Sequence, residues 1–319
     1  MHMWYRRVWM AVLTLVVLTG ATGCFKTRMI VRIRPDGSGD LVVEQLMSDA
    51  AIRQVEQQMD QMIAMVQAMG GEARTRKSMK EVMSDEAVLR RVAPMYGDVE
   101  LVSVQPVEEA GFVGARTVYR FKDIGRIRVP LNDGPRGQVI GAAMLKGEND
   151  ELPPVEAASD DASDIVFSWE PKESGGTLKV RMPPMEKVEL AEDPDWKPPQ
   201  ESDFTRQLAA EPQFAQALGL QSGMSHEEAL KKMFGDVEML IVLEAADGQI
   251  RSTTAQFAAS DRKNTFTLVR FNFREILNSP KGLRLFSDEK SMQGPNPPIA
   301  DDVPGMQVEQ GEVQFDITL

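Results

Sequence analysis

Four methionines, Met59, Met62, Met65 and Met69, lie three, three and four residues apart. Thioethers are soft donors, and on a helix such spacing could gather them around Cu(I). The same residues are also flexible core fillers and good helix formers. Ile52, Val55, Ile63 and Val66 share the stripe, which favours packing over metal. A third use is an apolar ligand surface, with methionine adapting to the shape of a lipid or peptide. Carboxylates crowd one segment: Glu148, Asp150, Glu151, Glu156, Asp160, Asp161 and Asp164. The spaced Asp-x-Asp-x-Asp-Gly loop that holds Ca²⁺ is missing, so they read as solvated loop charge. No Gly-x-Ser-x-Gly, P-loop or dinucleotide fingerprint is present. Ser287-Asp-Glu-Lys290 has Ser-x-x-Lys spacing, but in an expected exposed loop. One cysteine and two histidines in 319 residues rule out an intrachain disulfide, a CxxC redox pair and an HExxH zinc site. Ser225-His226-Glu227-Glu228 reads as a capping box, with Ser225 as cap, Glu228 answering it and His226 as an exposed first helical residue. No catalytic residue, metal site or cofactor is assigned.

The single cysteine, Cys24, has a telling position. Arg6 and Arg7 precede an apolar run from Val8 to Leu18, which gives way to small residues up to Gly23. This run of eleven residues falls well short of the ~20 that span a bilayer as a helix. A charged start, a short apolar core and a small-residue exit describe a cleavable secretory signal. Ala21-Thr22-Gly23-Cys24 resembles the lipobox of bacterial lipoproteins, with Ala where that family prefers Leu. The resemblance implies cleavage after residue 23 and a diacylglycerol, with palmitate-type chains, on Cys24. It also implies a place in the cell envelope. Phe25 follows the cysteine rather than the Asp that usually retains lipoproteins at the inner membrane. In an organism with two membranes, the outer one is therefore expected.

Removal of residues 1–23 leaves a chain with formal charge −14, because Arg6 and Arg7 leave and no acid does. That balance argues against nucleic-acid binding, which draws its affinity from neutralised phosphates. It also argues against broad adhesion to anionic lipid. Attachment falls to the lipid on Cys24, and the expected further partner is an envelope protein.

Expected elements follow from periodicity. Met29, Val31 and Ile33 alternate before Pro35-Asp36-Gly37-Ser38-Gly39, and Asp40 to Met47 continues as a second strand. An amphipathic helix is expected from Ile52 to Met69, and another from Ser78 to Val92. Strands are expected at 99–104, 115–121, 165–169 and 177–182, with an irregular excursion over 130–163. Helices are expected at 202–218 and 225–234, then a meander of strands at 237–243, 250–257 and 265–271. A helical turn at 274–277 and a loop over 287–305 follow. Val313, Phe315, Ile317 and Leu319 alternate with polar residues, which predicts a final strand sealing an edge of the main sheet.

Hairpins outnumber βαβ units, so the fold class is α+β, with a largely antiparallel sheet and helices packed on one face. Residues 24–27 read as a lipidated tether and 28–319 as one domain. The alternative is two lobes, 28–182 and 201–319, joined by the proline-rich 183–200. The stretch Cys24 to Met47, with Asp36-Gly37-Ser38-Gly39, resembles a loose group of uncharacterised bacterial lipoproteins, as does the block Gly235 to Ala255. That resemblance implies a membrane-associated α+β fold and transfers no functional residue. The function expected is non-enzymatic: scaffold, assembly or partner binding in the envelope. The alternative is a carrier or sensor of an apolar ligand, with the helix over 52–69 as one wall.

Overall fold

The structure, a computed structural model, describes residues 25–68, 70, 76–131, 134–145, 163–190, 196–197, 224–257, 264–287 and 298–318. Cys24, Met69, most of the acidic segment and the expected helix at 202–218 lie outside the described residues.

The first hairpin forms as the alternation predicts. Strands β1 (Phe25–Ile33) and β2 (Gly39–Ser48) pair antiparallel from Phe25–Met47 to Ile33–Gly39. Thr27, Met29, Val31 and Ile33 all point into the core. Residues 25–27 are therefore paired strand rather than a tether, because Phe25, Lys26 and Thr27 already sit opposite Met47, Leu46 and Gln45. β3 (Glu100–Glu109) and β4 (Phe112–Phe121) extend the sheet beyond β2. β8 (Glu238–Ala245) joins β1 in parallel on its other side, and β10 (Thr265–Asn272) and β11 (Met306–Val308) follow. The order is β11-β10-β8-β1-β2-β4-β3. The edge strand β3 carries Pro106 and the acids Glu100, Glu108 and Glu109, which discourage pairing with another chain.

A second sheet has the order β5-β6-β7-β12-β9. It comprises β5 (Arg128–Pro130), β6 (Asp164–Lys172), β7 (Gly175–Arg181), β9 (Gln249–Thr253) and β12 (Glu312–Thr318). Both sheets take strands from each side of 183–200, so that segment does not divide the chain into lobes with separate sheets. The expected meander is corrected here. Asp247, with φ +50, turns the chain out of β8, and β9 enters the second sheet while β10 pairs with β8 directly. β12 is also placed differently. It is a buried strand, but it lies inside the second sheet between β7 and β9 rather than at an edge of the main one. Short β11 occupies that edge, and Gly311, with φ +67, redirects the chain.

Helices cover the inner face of the large sheet. α1 (Asp49–Ala68) buries Ile52, Val55 and Met59. The expected helix from 78 to 92 is two, α2 (Met79–Met83) and α3 (Glu86–Val92), because Asp85 accepts from the amides of Ala87 and Val88 and starts the second. α4 (Gly134–Met144) corrects the reading of 130–163 as irregular throughout; it buries Val139, Ile140, Ala143 and Met144. α5 (His226–Phe234), α6 (Phe273–Leu277) and α7 (Pro280–Ser287) complete the described helices. The two sheets meet at the Pro35–Gly39 turn, where Trp169 of β6 lies against Gly37, and through the edge-on rings of Phe266 and Phe315, 5.3 Å apart.

Asp316 shows how the second sheet is stitched together. Its carboxylate accepts from the Ser252 hydroxyl at 2.7 Å, the Lys172 ammonium at 2.9 Å and the Thr177 hydroxyl at 2.7 Å. These donors, Ser252 foremost, hold its pKa well below the ordinary 3.8. The unfolded chain therefore takes up the proton first, and the stabilisation is complete above about pH 4 and lost as pH falls through and below 3.8. Asp316→Asn is expected to lower Tm at pH 7, with the gap to wild type closing as the melts are repeated at successively lower pH below 4.

Candidate functional site

The residues singled out from sequence do not converge. Met59 is enclosed in the core at 1% exposure, whereas Met65 is 64% exposed. Six residues at 100° each carry Met65 about 120° round the helix from the buried face, so three-residue steps drift off it. The Met62 side chain and Met69 lie outside the described residues. The methionines that are described thus share neither a ligand-lining surface nor a buried face. Met59→Ala is expected to cost about 2 kcal/mol and Met65→Ala less than about 0.5 kcal/mol, read from urea midpoints.

His226 is corrected from exposed to buried, at 2%. The capping box around it forms as expected, with Ser225 accepting from the Glu228 amide and Glu228 from the Ser225 amide. However, His226, Ala229, Leu230 and Met233 all face inward, the i, i+3, i+4, i+7 set of an apolar stripe. Asp164 is corrected too. It is not solvated loop charge but the buried first residue of β6, 4.0 Å from Arg128. Ser287 closes α7, and Lys290 lies outside the described residues. Among the described residues, no group of three or more His, Cys, Asp or Glu side chains is gathered to hold a metal.

The constellation that does form lies on the outer face of the second sheet. Strand alternation puts Val129, Ile165, Phe167, Leu178 and Val180 into the core, so their neighbours point outward. Register then sets Arg128 beside Val166, Val166 beside Arg181, and Arg181 beside Glu312. The next outward row is Ser168, Lys179 and Gln314. A 3₁₀ turn, Ile124–Arg126, raises Arg126 as a wall, fixed by Asp123 accepting from the Gly125 amide and by the Ile124 amide donating to the Gly37 carbonyl. The resulting open cleft measures about 420 Å³.

Four cations line this cleft, with Glu312 as the acid among them. Lys179 is held by Glu170 at 2.5 Å, and Arg126 lies 3.5 Å from Asp98 and 3.6 Å from Asp123. Arg181 is exposed and has no acidic partner within 4.0 Å among the described residues. Ser168 sits directly across from Lys179, which invites comparison with a serine–lysine nucleophile pair. Such a pair needs a neutral amine. Here the hydrogen bond to Glu170 pushes the Lys179 pKa up instead, so the ammonium stays charged. The cleft offers positive charge and hydrogen-bond donors for an anion, beside the single carboxylate of Glu312.

These four residues were not singled out from sequence, although a signal existed. Arg126-Ile-Arg128 and Lys179-Val-Arg181 each repeat a cation at period two around a buried aliphatic residue. The hairpin of β6 and β7 follows from the Ser174-Gly175-Gly176 turn; what sequence alone withholds is that β5 lies on the other side of β6.

No helix among the described residues is long and apolar enough to cross a membrane. No protein-family model matches the chain, and no curated protein matches it. Among solved structures, the NMR structure of the folded domain of LppM from Mycobacterium tuberculosis aligns over 93% of this chain and 92% of its own, at 8% identity and a TM-score of 0.30.

Proposed function

We propose that the protein is a lipid-anchored bacterial envelope lipoprotein that works without catalysis, holding an acidic segment of an envelope protein in the cationic cleft. The observation that carries this reading is the gathering of Arg126, Arg128, Lys179 and Arg181 on a mature chain of charge −14. Arg126, Arg128 and Lys179 each have an acidic neighbour, and exposed Arg181 adds a cation with none within 4.0 Å among the described residues, which suits a negatively charged partner. The anchor is supported by Arg6-Arg7, the apolar run Val8–Leu18 and Ala21-Thr22-Gly23-Cys24. Several acyl chains on one cysteine hold firmly, since each buried methylene contributes ~0.8 kcal/mol.

Two measurements test the two halves. Cys24→Ser is expected to abolish palmitate incorporation and release the protein from membranes; a variant that still matures and stays membrane-bound overturns the anchor. For the cleft, a photo-crosslinking residue replaces exposed Ser168 in the full chain. A discrete adduct is expected in native membranes, lost with Arg128→Glu plus Arg181→Glu and weakened by high salt. An adduct indifferent to both overturns the cationic-cleft reading.

A further inference from the structure

The end of the large sheet nearest Cys24 has a distinct chemistry. Phe25, adjacent to the cysteine, opens the central strand β1 and pairs with Met47 at the end of β2. Phe112 opens β4 opposite Ser48, and the Ala110–Gly111 turn beside it accepts from the Asp49 amide at 3.0 Å. On the other side of β1, Glu238 opens β8 level with Lys26 and with Asn272 of β10. Phe234 leads into β8 and Phe273 follows β10, their rings 6.0 Å apart. The Phe273 amide donates to the Val237 carbonyl, which locks the two together. Four phenylalanines, Phe25, Phe112, Phe234 and Phe273, are thus half-buried along one end of the sheet. The Lys26 ammonium lies 4.2 Å above the Phe112 ring.

Consecutive Cα atoms are about 3.8 Å apart, so a lipid on Cys24 must leave the domain within this row of rings. There is no spacer to let the domain drift from the surface, because pairing begins at Phe25. We infer that this aromatic end of the sheet is seated on the bilayer that holds the Cys24 lipid, with the rings at the boundary of headgroups and acyl chains. The inference rests on the anchor proposed above. Seating is apolar rather than electrostatic, since Arg274 is paired with Asp236 and Lys231 with Glu227, and Glu109 and Glu238 line the same recess as Lys26. Half-exposed rings left in water beside an acyl anchor would forgo burial that costs nothing further in translational freedom, since the lipid already holds the domain there.

The geometry has a consequence for the cleft. β1 runs nine residues from Phe25 to Ile33, and the second sheet packs at its far end through Gly37 and Trp169. At about 3.3 Å per residue, the far end stands roughly 30 Å from the anchor. That is several Debye lengths of ~8 Å, so the cleft faces the aqueous compartment rather than its own membrane.

The test uses the full lipidated chain in phosphatidylcholine–phosphatidylethanolamine vesicles containing nitroxide lipid. With Cys24 occupied, Ala110→Cys and Asp36→Cys each provide one thiol for a fluorophore, both on exposed turns at opposite ends of the strands. Quenching is expected to be several-fold greater at 110 than at 36. Equal quenching at both sites overturns the seating. Phe25→Ser combined with Phe112→Ser, in the Ala110→Cys background and checked for an intact melt, is expected to bring quenching down towards that of the label at 36. Unchanged quenching in that variant means that the rings do not seat the domain. Palmitate labelling of every variant separates the two readings. Label present with uniform quenching rejects the seating alone, and label absent rejects the anchor and the seating with it.

Discussion

A chain ending at Gly311 is expected to lose cooperative unfolding altogether. The seven residues of β12 pair with β7 along their whole length, Glu312 to Thr318 against Arg181 to Gly175, and with β9 on the other side. Val313, Phe315 and Ile317 are buried. Burial of each such side chain contributes about 1.5–3 kcal/mol, so the three together supply about 5–9 kcal/mol. Domains are stable by only about 5–15 kcal/mol in total. The truncation also leaves β7 and β9 facing each other across an empty strand position, with their amides and carbonyls unpaired. Phe266 loses its edge-on partner Phe315, which joins the two sheets. Asp316 takes with it the acceptor for Lys172, Thr177 and Ser252. Far-ultraviolet circular dichroism on heating should show a broad, non-cooperative change. A melt with the wild-type midpoint would mean that the second sheet holds without its inner strand.

The alternation of Val313, Phe315 and Ile317 made this strand legible in the sequence; its sheet was not legible. Period two fixes which residues are buried and says nothing about which neighbour lies alongside. The same limit applies to β9, which follows β8 so closely that a meander was the economical reading, yet the Asp247 turn carries it to the other sheet. Periodicity also fails where propensity opposes it. α4 contains Gly134, Gly137 and Gly141, so tertiary burial of Val139, Ile140, Ala143 and Met144 outweighs its local preference. His226 shows the reverse: the cap was read and the burial missed, though Ala229, Leu230 and Met233 stood at the spacings that place it inward. The methionine stripe erred through rounding. Steps of three lag behind 3.6 by enough that Met65 leaves the face that Met59 occupies. The cleft was the least legible feature, because its cations come from a 3₁₀ turn and two strands, β5 and β7, that flank β6 only in the folded sheet.

The Pro35–Gly39 turn, by contrast, was plain in the sequence, and it carries a large expected effect. Gly37 has φ +84, and a Cβ there would lie 2.7 Å from the Trp169 ring. Gly39 has less room still. A Cβ would fall 1.9 Å from the Arg32 carbonyl oxygen and 2.5 Å from the Phe121 ring. The first of those atoms is backbone of the paired strand, so no side-chain rotation relieves the overlap. β1 and β2 would have to separate at the point where Trp169 joins the two sheets. Gly39→Ala is therefore expected to destabilise by about 3 kcal/mol, the upper end for overpacking, although it adds one methyl group. Gly137 and Gly141 provide the matched contrast. Both lie within α4, and a Cβ at either meets nothing within 4 Å. There, alanine removes the entropic penalty of helical glycine, so Gly137→Ala and Gly141→Ala are each expected to stabilise by about 0.5–1 kcal/mol. Urea denaturation of the three variants, with m-values compared to confirm two-state behaviour, gives the signs directly. A Gly39→Ala midpoint equal to wild type would show that the turn yields where its backbone contacts say it cannot.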